Sequence, residues 1–172
     1  MQGLKRTFQV INEMVADGVI RKYAVTGAIA TLNYLEPTET EDLDILVSID
    51  HFSTESGLAT LGPIPSYLQE RGYSDWRMEG VVIEGWPVQF IPVADALDAE
   101  GLDEAVEVEL EPTDGEGRES RPIKIRTLRA EHLVAIALRT FRPKDRDRII
   151  RFVEEKAVEL ERLRNVLKGI IC

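Results

Sequence analysis

The segment Asp42-Leu-Asp-Ile-Leu-Val47 constrains the fold more than any other in the chain. Two acids alternate with a leucine, and three β-favouring apolar residues follow without a polar break. Such density reads as a strand buried on both faces, hence a central strand with helices packed over its sheet. Strand side chains two apart share a face, so Asp42 and Asp44 project together while Leu43 points into the core. Two carboxylates this close repel, and a cation between them relieves the repulsion. Mg²⁺ suits the pattern, because it takes one or two carboxylates together with substrate phosphates and waters. The plainer alternative, an acidic strand end on a solvated edge, stays open on this spacing alone.

Fifteen residues before Asp42 stands a glycine. Tyr23 to Val25 makes a short strand, and Thr26-Gly27 opens a small-residue helix over Ala28 to Leu32. A helix start that carries Gly lets an anion approach the backbone closely. The simpler alternative is that Gly27 only permits a tight strand-to-helix turn. Metal-holding acids facing a phosphate-holding helix start would make a place for a nucleoside triphosphate.

The remaining periodicities fill in an α+β chain. Leu4, Phe8, Ile11 and Val15 mark a helix over residues 3–16. The second strand runs from Leu43 to Ile49, and Pro63 to Arg71 is a helix stopped by Gly72. Arg77 to Ile83 and Pro87 to Ile91 read as two antiparallel strands around Glu84-Gly85-Trp86, with Pro87 at a strand start because it cannot donate to a ladder. A helix over Leu97 to Ala105, a strand at Val106 to Leu110, a mobile acidic loop at Asp114 to Gly117 and a strand at Pro122 to Arg126 follow. Helices over Ala130 to Phe141, Pro143 to Glu155 and Val158 to Ile171 complete the chain. The expected division is an α/β core over residues 1–127 and a C-terminal helical segment over 128–172, packed on that core.

Charge is divided along the same line. The net charge of the 172 residues is -10, yet residues 1–117 carry 23 acids and 6 bases, whereas residues 118–172 carry 8 acids and 15 bases. Clustered Lys and Arg attract polyanions even on an acidic molecule; the alternative is a solvated, salt-bridged face. No apolar stretch approaches the length of a membrane span. Met1 to Arg6 lack the apolar run of a secretory leader, and the single Cys172 cannot form an internal disulfide, so the expected compartment is the cytoplasm.

Tyr23-Ala-Val-Thr-Gly-Ala-Ile-Ala30, followed by Thr40-Glu-Asp-Leu-Asp-Ile-Leu-Val47, resembles the nucleotidyltransferase superfamily signature of a Gly turn, a helix and an Asp-x-Asp strand. It looks most like the branch of AbiEii-type abortive-infection toxins. Leu128-Arg-Ala-Glu-His-Leu-Val-Ala-Ile-Ala-Leu138, then Arg142-Pro-Lys-Asp-Arg-Asp-Arg-Ile149, is similar to the C-terminal helical segment of those proteins. The resemblance spans roughly residues 20–155. It implies a nucleotidyltransferase-like mixed β-sheet flanked by helices, and transfer of a nucleoside monophosphate from a nucleoside triphosphate to an acceptor hydroxyl. By the same resemblance Asp42 and Asp44 hold Mg²⁺ and carry the catalysis, Thr26 and Gly27 contact the triphosphate, and Arg142 and Lys144 neutralise it. One ion would stabilise the leaving pyrophosphate while another lowers the pKa of the attacking hydroxyl. The partners implied are a nucleoside triphosphate, a nucleic acid such as tRNA, and an antitoxin.

Three positions depart from the family pattern. Thr26 stands where a small residue is usual, Gln89 takes the position of a third carboxylate, and Ala137 stands where related toxins often carry Lys. Arg139, two residues on, is expected on another helix face. These departures support an alternative: a scaffold of the same fold that binds or regulates without catalysing. A third reading is an interaction domain in which the final helix, with Val158, Leu160, Leu163, Val166, Leu167 and Ile170, packs on a partner or forms a homodimer. His51 and His132 lack metal-site spacing and read as surface or capping residues. Trp76 and Trp86 read as core or interface aromatics, and Ser48, Ser53 and Ser56 lack a nucleophile elbow.

Overall fold

The computed structural model describes residues 3–36, 40–48, 62–77, 79–110 and 122–171. Among these residues, seven strands form one mixed sheet: β1 (Tyr23–Thr26), β2 (Leu43–Val47), β3 (Trp76–Arg77), β4 (Gly80–Ile83), β5 (Trp86–Pro92), β6 (Val106–Leu110) and β7 (Ile123–Thr127), in the order β3-β4-β5-β2-β1-β7-β6. The strand that bears Asp44 is therefore the central one. It runs antiparallel to β1 and parallel to β5. Seven helices surround the sheet: α1 (Leu4–Ala16), α2 (Gly27–Thr31), α3 (Pro63–Glu70), α4 (Ala96–Asp103), α5 (Ala130–Thr140), α6 (Pro143–Glu154) and α7 (Leu160–Ile171). The chain has the mixed α+β architecture expected of it.

Helix α1 covers one face. Its apolar stripe buries Phe8, Ile11 and Met14 completely, each worth about 1.5–3 kcal/mol relative to exposure. Two polar anchors fix its direction across the sheet. The Thr7 hydroxyl donates to the Ile83 carbonyl at 2.8 Å. At the other end, Asn12 Nδ2 donates to the Lys124 carbonyl at 3.0 Å and the Tyr23 hydroxyl donates to Asn12 Oδ1 at 2.8 Å. Tyr23, opposite Val47, thus faces α1, and the period of two puts Leu43, Ile45 and Val47 on the same side. Asp44 and Leu46 face the other way, toward the side where α2, α4 and α5 pack.

The sequence expectation differs from the structure in three places among the described residues. The expected strand over residues 77–83 is two strands, because Arg77 pairs with Gly80 and the chain reverses between them. Residues 158 and 159 lie outside α7, which begins at Leu160. The apolar stripe of the last helix is largely consumed within the chain: Val158, Leu163 and Val166 are buried, while Leu160 is exposed. The acidic loop at 114–117, His51, Ser53 and Ser56 lie outside the described residues. Among the described residues, no helix is long and apolar enough to cross a membrane.

Candidate functional site

A cleft of about 490 Å³ opens on the sheet face opposite α1, between the ends of β1, β2 and β5 and the helices α5 and α6. Every site residue named from the sequence lines it: Thr26, Gly27, Asp42, Asp44, Gln89, Arg142 and Lys144. Register explains the juxtaposition. Thr26 lies opposite Asp44 on the antiparallel side and Gln89 lies opposite Asp44 on the parallel side, so the three form one row across adjacent strands. Asp42 is just before β2 and is steadied by the Thr40 hydroxyl, 3.1 Å from its Oδ1.

Gly27 has φ +64, a left-handed conformation that glycine adopts without strain. A β-carbon there would overlap Asp44 Oδ2 and come within 3.0 Å of its Cγ. The glycine is thus what lets the Asp44 carboxylate lie against the backbone of the turn. Helix α2 extends for only five residues, so its aligned dipole is small.

Electrostatics in the cleft are set by this seating. Burial pushes the Asp44 carboxyl above its ordinary range, and the charge of Asp42 adds to the rise; Lys144, Arg148 and Arg142 pull the other way. A half-buried carboxylate pair under that tension is the kind of donor set a divalent cation relieves. Among the described residues no three Asp, Glu, His or Cys side chains group as a ready metal site. Two carboxylates and open space beside them fit Mg²⁺, which keeps waters and substrate phosphates in its shell, and do not fit Zn²⁺, which needs a fuller protein set.

The basic wall is built at the α5–α6 junction. Phe141 ends α5 in the left-handed region at φ +47, and Pro143 starts α6 immediately after. Asp145, 1% exposed, holds the junction closed. It accepts hydrogen bonds from the Thr140 hydroxyl (2.7 Å), the Arg142 backbone N–H (3.1 Å) and Arg142 Nε (2.8 Å), and lies 3.6 Å from Arg148 Nη1. Arg142 is therefore engaged by Asp145, and the Arg146 guanidinium stacks 4.5 Å above the Phe141 ring. The salt-bridged face weighed from the sequence is real for Arg142 and Arg148. Lys144 lines the cleft and has no ion pair or hydrogen bond among the described residues.

Several residues in the cleft went unnamed in the sequence reading. Arg77 and Glu79 reach it from beside β4, and Gln89 Nε2 donates to Glu79 Oε2 at 2.9 Å. The Glu79-Gly80 pair, a turn signal inside the supposed strand, was the available clue. Arg139 also lines the cleft, contrary to its expected position on another face; there Asp95 and Asp98 clamp it, the latter at 2.9 Å. Because α5 packs on the cleft side along its length, Ala137 and Arg139 both border the space.

The expectation for His132 as a surface or capping residue needs correction. His132 is fully buried, 3.4 Å from Glu100 Oε1, with neither ring nitrogen hydrogen-bonded among the described residues. The packing of α4 and α7 against α5 encloses it, which helical periodicity alone does not reveal. Trp76 is 63% exposed, outside the core, and Trp86 is partly buried against the core. No protein-family model matches the chain, and no curated protein matches it.

Proposed function

We propose that the chain is an Mg²⁺-dependent nucleotidyltransferase, moving a nucleoside monophosphate from a nucleoside triphosphate to an acceptor hydroxyl. The observation that carries this reading is the carboxylate pair Asp42 and Asp44 on the floor of a nucleotide-sized cleft, faced by Lys144, which makes no ion pair or hydrogen bond among the described residues, and by Arg148. Asp42 and Asp44 would hold the ion. When bound, Mg²⁺ supplies charge neutralisation for the leaving pyrophosphate and acidifies the attacking hydroxyl. Lys144 binds triphosphate oxygens, Arg142 and Arg148 add positive potential from their places around Asp145, and Gly27 keeps Asp44 in position. Leu133, Ile136 and Ala137 offer an apolar wall for the base.

The basic C-terminal third and the family resemblance support a nucleic acid such as tRNA as the acceptor, in a cytoplasmic toxin paired with an antitoxin. Calorimetric titration with ATP, CTP, GTP and UTP in Mg²⁺ tests the core of the proposal. One of the four should bind the wild type, and Asp42→Ala with Asp44→Ala should abolish that binding. No binding to the wild type, or equal binding to the double variant, sinks it. Gln89, neutral and beside Asp44, favours a second reading in which the cleft binds nucleotide without turnover; nucleotide binding with no release of pyrophosphate in the presence of candidate RNAs would select it.

A further inference from the structure

Gln89 is the residue that argues most against catalysis, and its hydrogen bond changes what it contributes. Its amide does not stand alone on the cleft wall. It donates through Nε2 to Glu79 Oε2 at 2.9 Å, and both residues line the cleft. Gln89 is the register partner of Asp44 on the adjacent parallel strand, about 4.8 Å away at the backbone by ordinary strand spacing. A third carboxylate thereby lines the same cleft, from the turn before β4, and is tethered through an amide to the register partner of Asp44.

We infer that Glu79 is the proton acceptor of the transfer reaction and that Gln89 is the residue that positions it. The inference rests on the nucleotidyl-transfer reading above. Three observations separate Glu79 from a metal ligand or a surface acid. It does not group with Asp42 and Asp44 as a three-residue cation site. It is solvent-exposed and lines the cleft, so a hydroxyl arriving from solvent can reach it. Among the described residues its hydrogen bond uses Oε2, which leaves Oε1 to meet a hydroxyl proton. The tether holds the carboxylate in one arrangement at the cleft edge.

The chemistry balances without another reactant. The acceptor oxygen attacks the α-phosphorus and forms the new P–O bond. The bond to the β-phosphate bridging oxygen breaks, and its electron pair leaves with pyrophosphate. The acceptor proton passes to Glu79. With no macromolecular acceptor present, water takes the same place, so slow pyrophosphate release from a nucleoside triphosphate reports the step.

The test compares wild type, Glu79→Gln, Gln89→Leu and the double variant, using whichever of ATP, CTP, GTP or UTP binds with Mg²⁺. Calorimetry gives affinity, and coupled phosphate detection gives pyrophosphate release. Glu79→Gln is expected to bind the nucleotide at least as tightly as wild type, because one negative charge near the triphosphate is gone, and to release pyrophosphate about 100-fold more slowly. Gln89→Leu should lose about 10-fold in release with affinity unchanged. The double variant should be no slower than Glu79→Gln alone, as expected when Gln89 acts only through Glu79. A wild type that binds nucleotide but releases pyrophosphate no faster than Glu79→Gln overturns the role of Glu79 alone. Nucleotide affinity lost in Glu79→Gln likewise overturns it, in favour of a binding role. A wild type that binds no Mg²⁺–nucleotide at all overturns it together with the reading beneath it.

Discussion

The Asp44 carboxylate occupies the space that a β-carbon on residue 27 would need, with Cγ 3.0 Å and Cβ 3.1 Å from that point. Glycine and acid are matched parts of one site. Gly27→Ala meets both a left-handed backbone and this overlap, so destabilisation of about 1–3 kcal/mol is expected. Displacement of Asp44 should also cost the chain its Mn²⁺ affinity, read by paramagnetic resonance. Retained metal binding in a folded Gly27→Ala chain would contradict the match.

Asp44 itself should respond to pH in a defined direction. Its folded-state pKa is raised by burial and by Asp42. Ionisation therefore costs the folded state more than the unfolded one. Stability of the metal-free protein should fall as pH rises from the unfolded value, about 3.9, through the higher folded one. Asp44→Asn should remove that fall and raise the melting temperature at pH 7. Added Mg²⁺ should stabilise wild type but not the variant. A variant that melts below the metal-free wild type at pH 7 would refute the assignment.

Asp145 shows the opposite sign. Burial tends to raise its pKa, but hydrogen bonds from the Arg142 side chain, the Thr140 hydroxyl and the Arg142 backbone outweigh it, and the net shift is downward. Its contribution to stability is complete above the unfolded value of about 3.9 and is lost as pH falls through the lower folded value. Asp145→Asn should cost about 3 kcal/mol at pH 7 by denaturant unfolding, since it strips a buried network of its charge, and should flatten the loss of stability below about pH 4.

The two cations named from the sequence should separate experimentally. Lys144→Ala is expected to leave the melting temperature unchanged while weakening nucleotide binding about 10-fold, the scale of one charge-assisted hydrogen bond. Arg142→Ala should mainly cost stability, because its guanidinium serves Asp145. Equal losses of stability in both variants would contradict the division.

His132, buried without a hydrogen-bond partner among the described residues, should tolerate an apolar replacement. His132→Leu is expected to be neutral or stabilising by about 1 kcal/mol, because it removes an unsatisfied polar group. Thermal unfolding that shows a loss of 2 kcal/mol or more would mean that the imidazole is satisfied in solution.

Much of the site was legible because it is local. Thr26, Gly27, Asp42 and Asp44 lie on neighbouring strands whose pattern is written in alternation and small residues, and Lys144 follows a proline that starts a helix. What stayed hidden depends on distant pieces. Glu79 enters the cleft because β4 pairs with β5 and Gln89 reaches across. Arg139 enters because α4 supplies Asp95 and Asp98. The burial of His132 depends on α4 and α7 both packing on α5. Periodicity along one element carries no information about which neighbour closes over it.

The central strand also sets the order in which the molecule can be completed. β2 needs β1 on one side and β5 on the other, and β1 in turn pairs with β7, about a hundred residues later in the chain; such distant pairing is slow to form. Lys144 and its neighbours on α6 come later still. A chain growing from the ribosome thus makes its acidic pair long before the counter-charges of α6 arrive. A fragment that ends before Arg142 would keep Asp42 and Asp44 but lack Arg142, Lys144 and Arg148, the cations that pull the Asp44 carboxyl back toward its ordinary range.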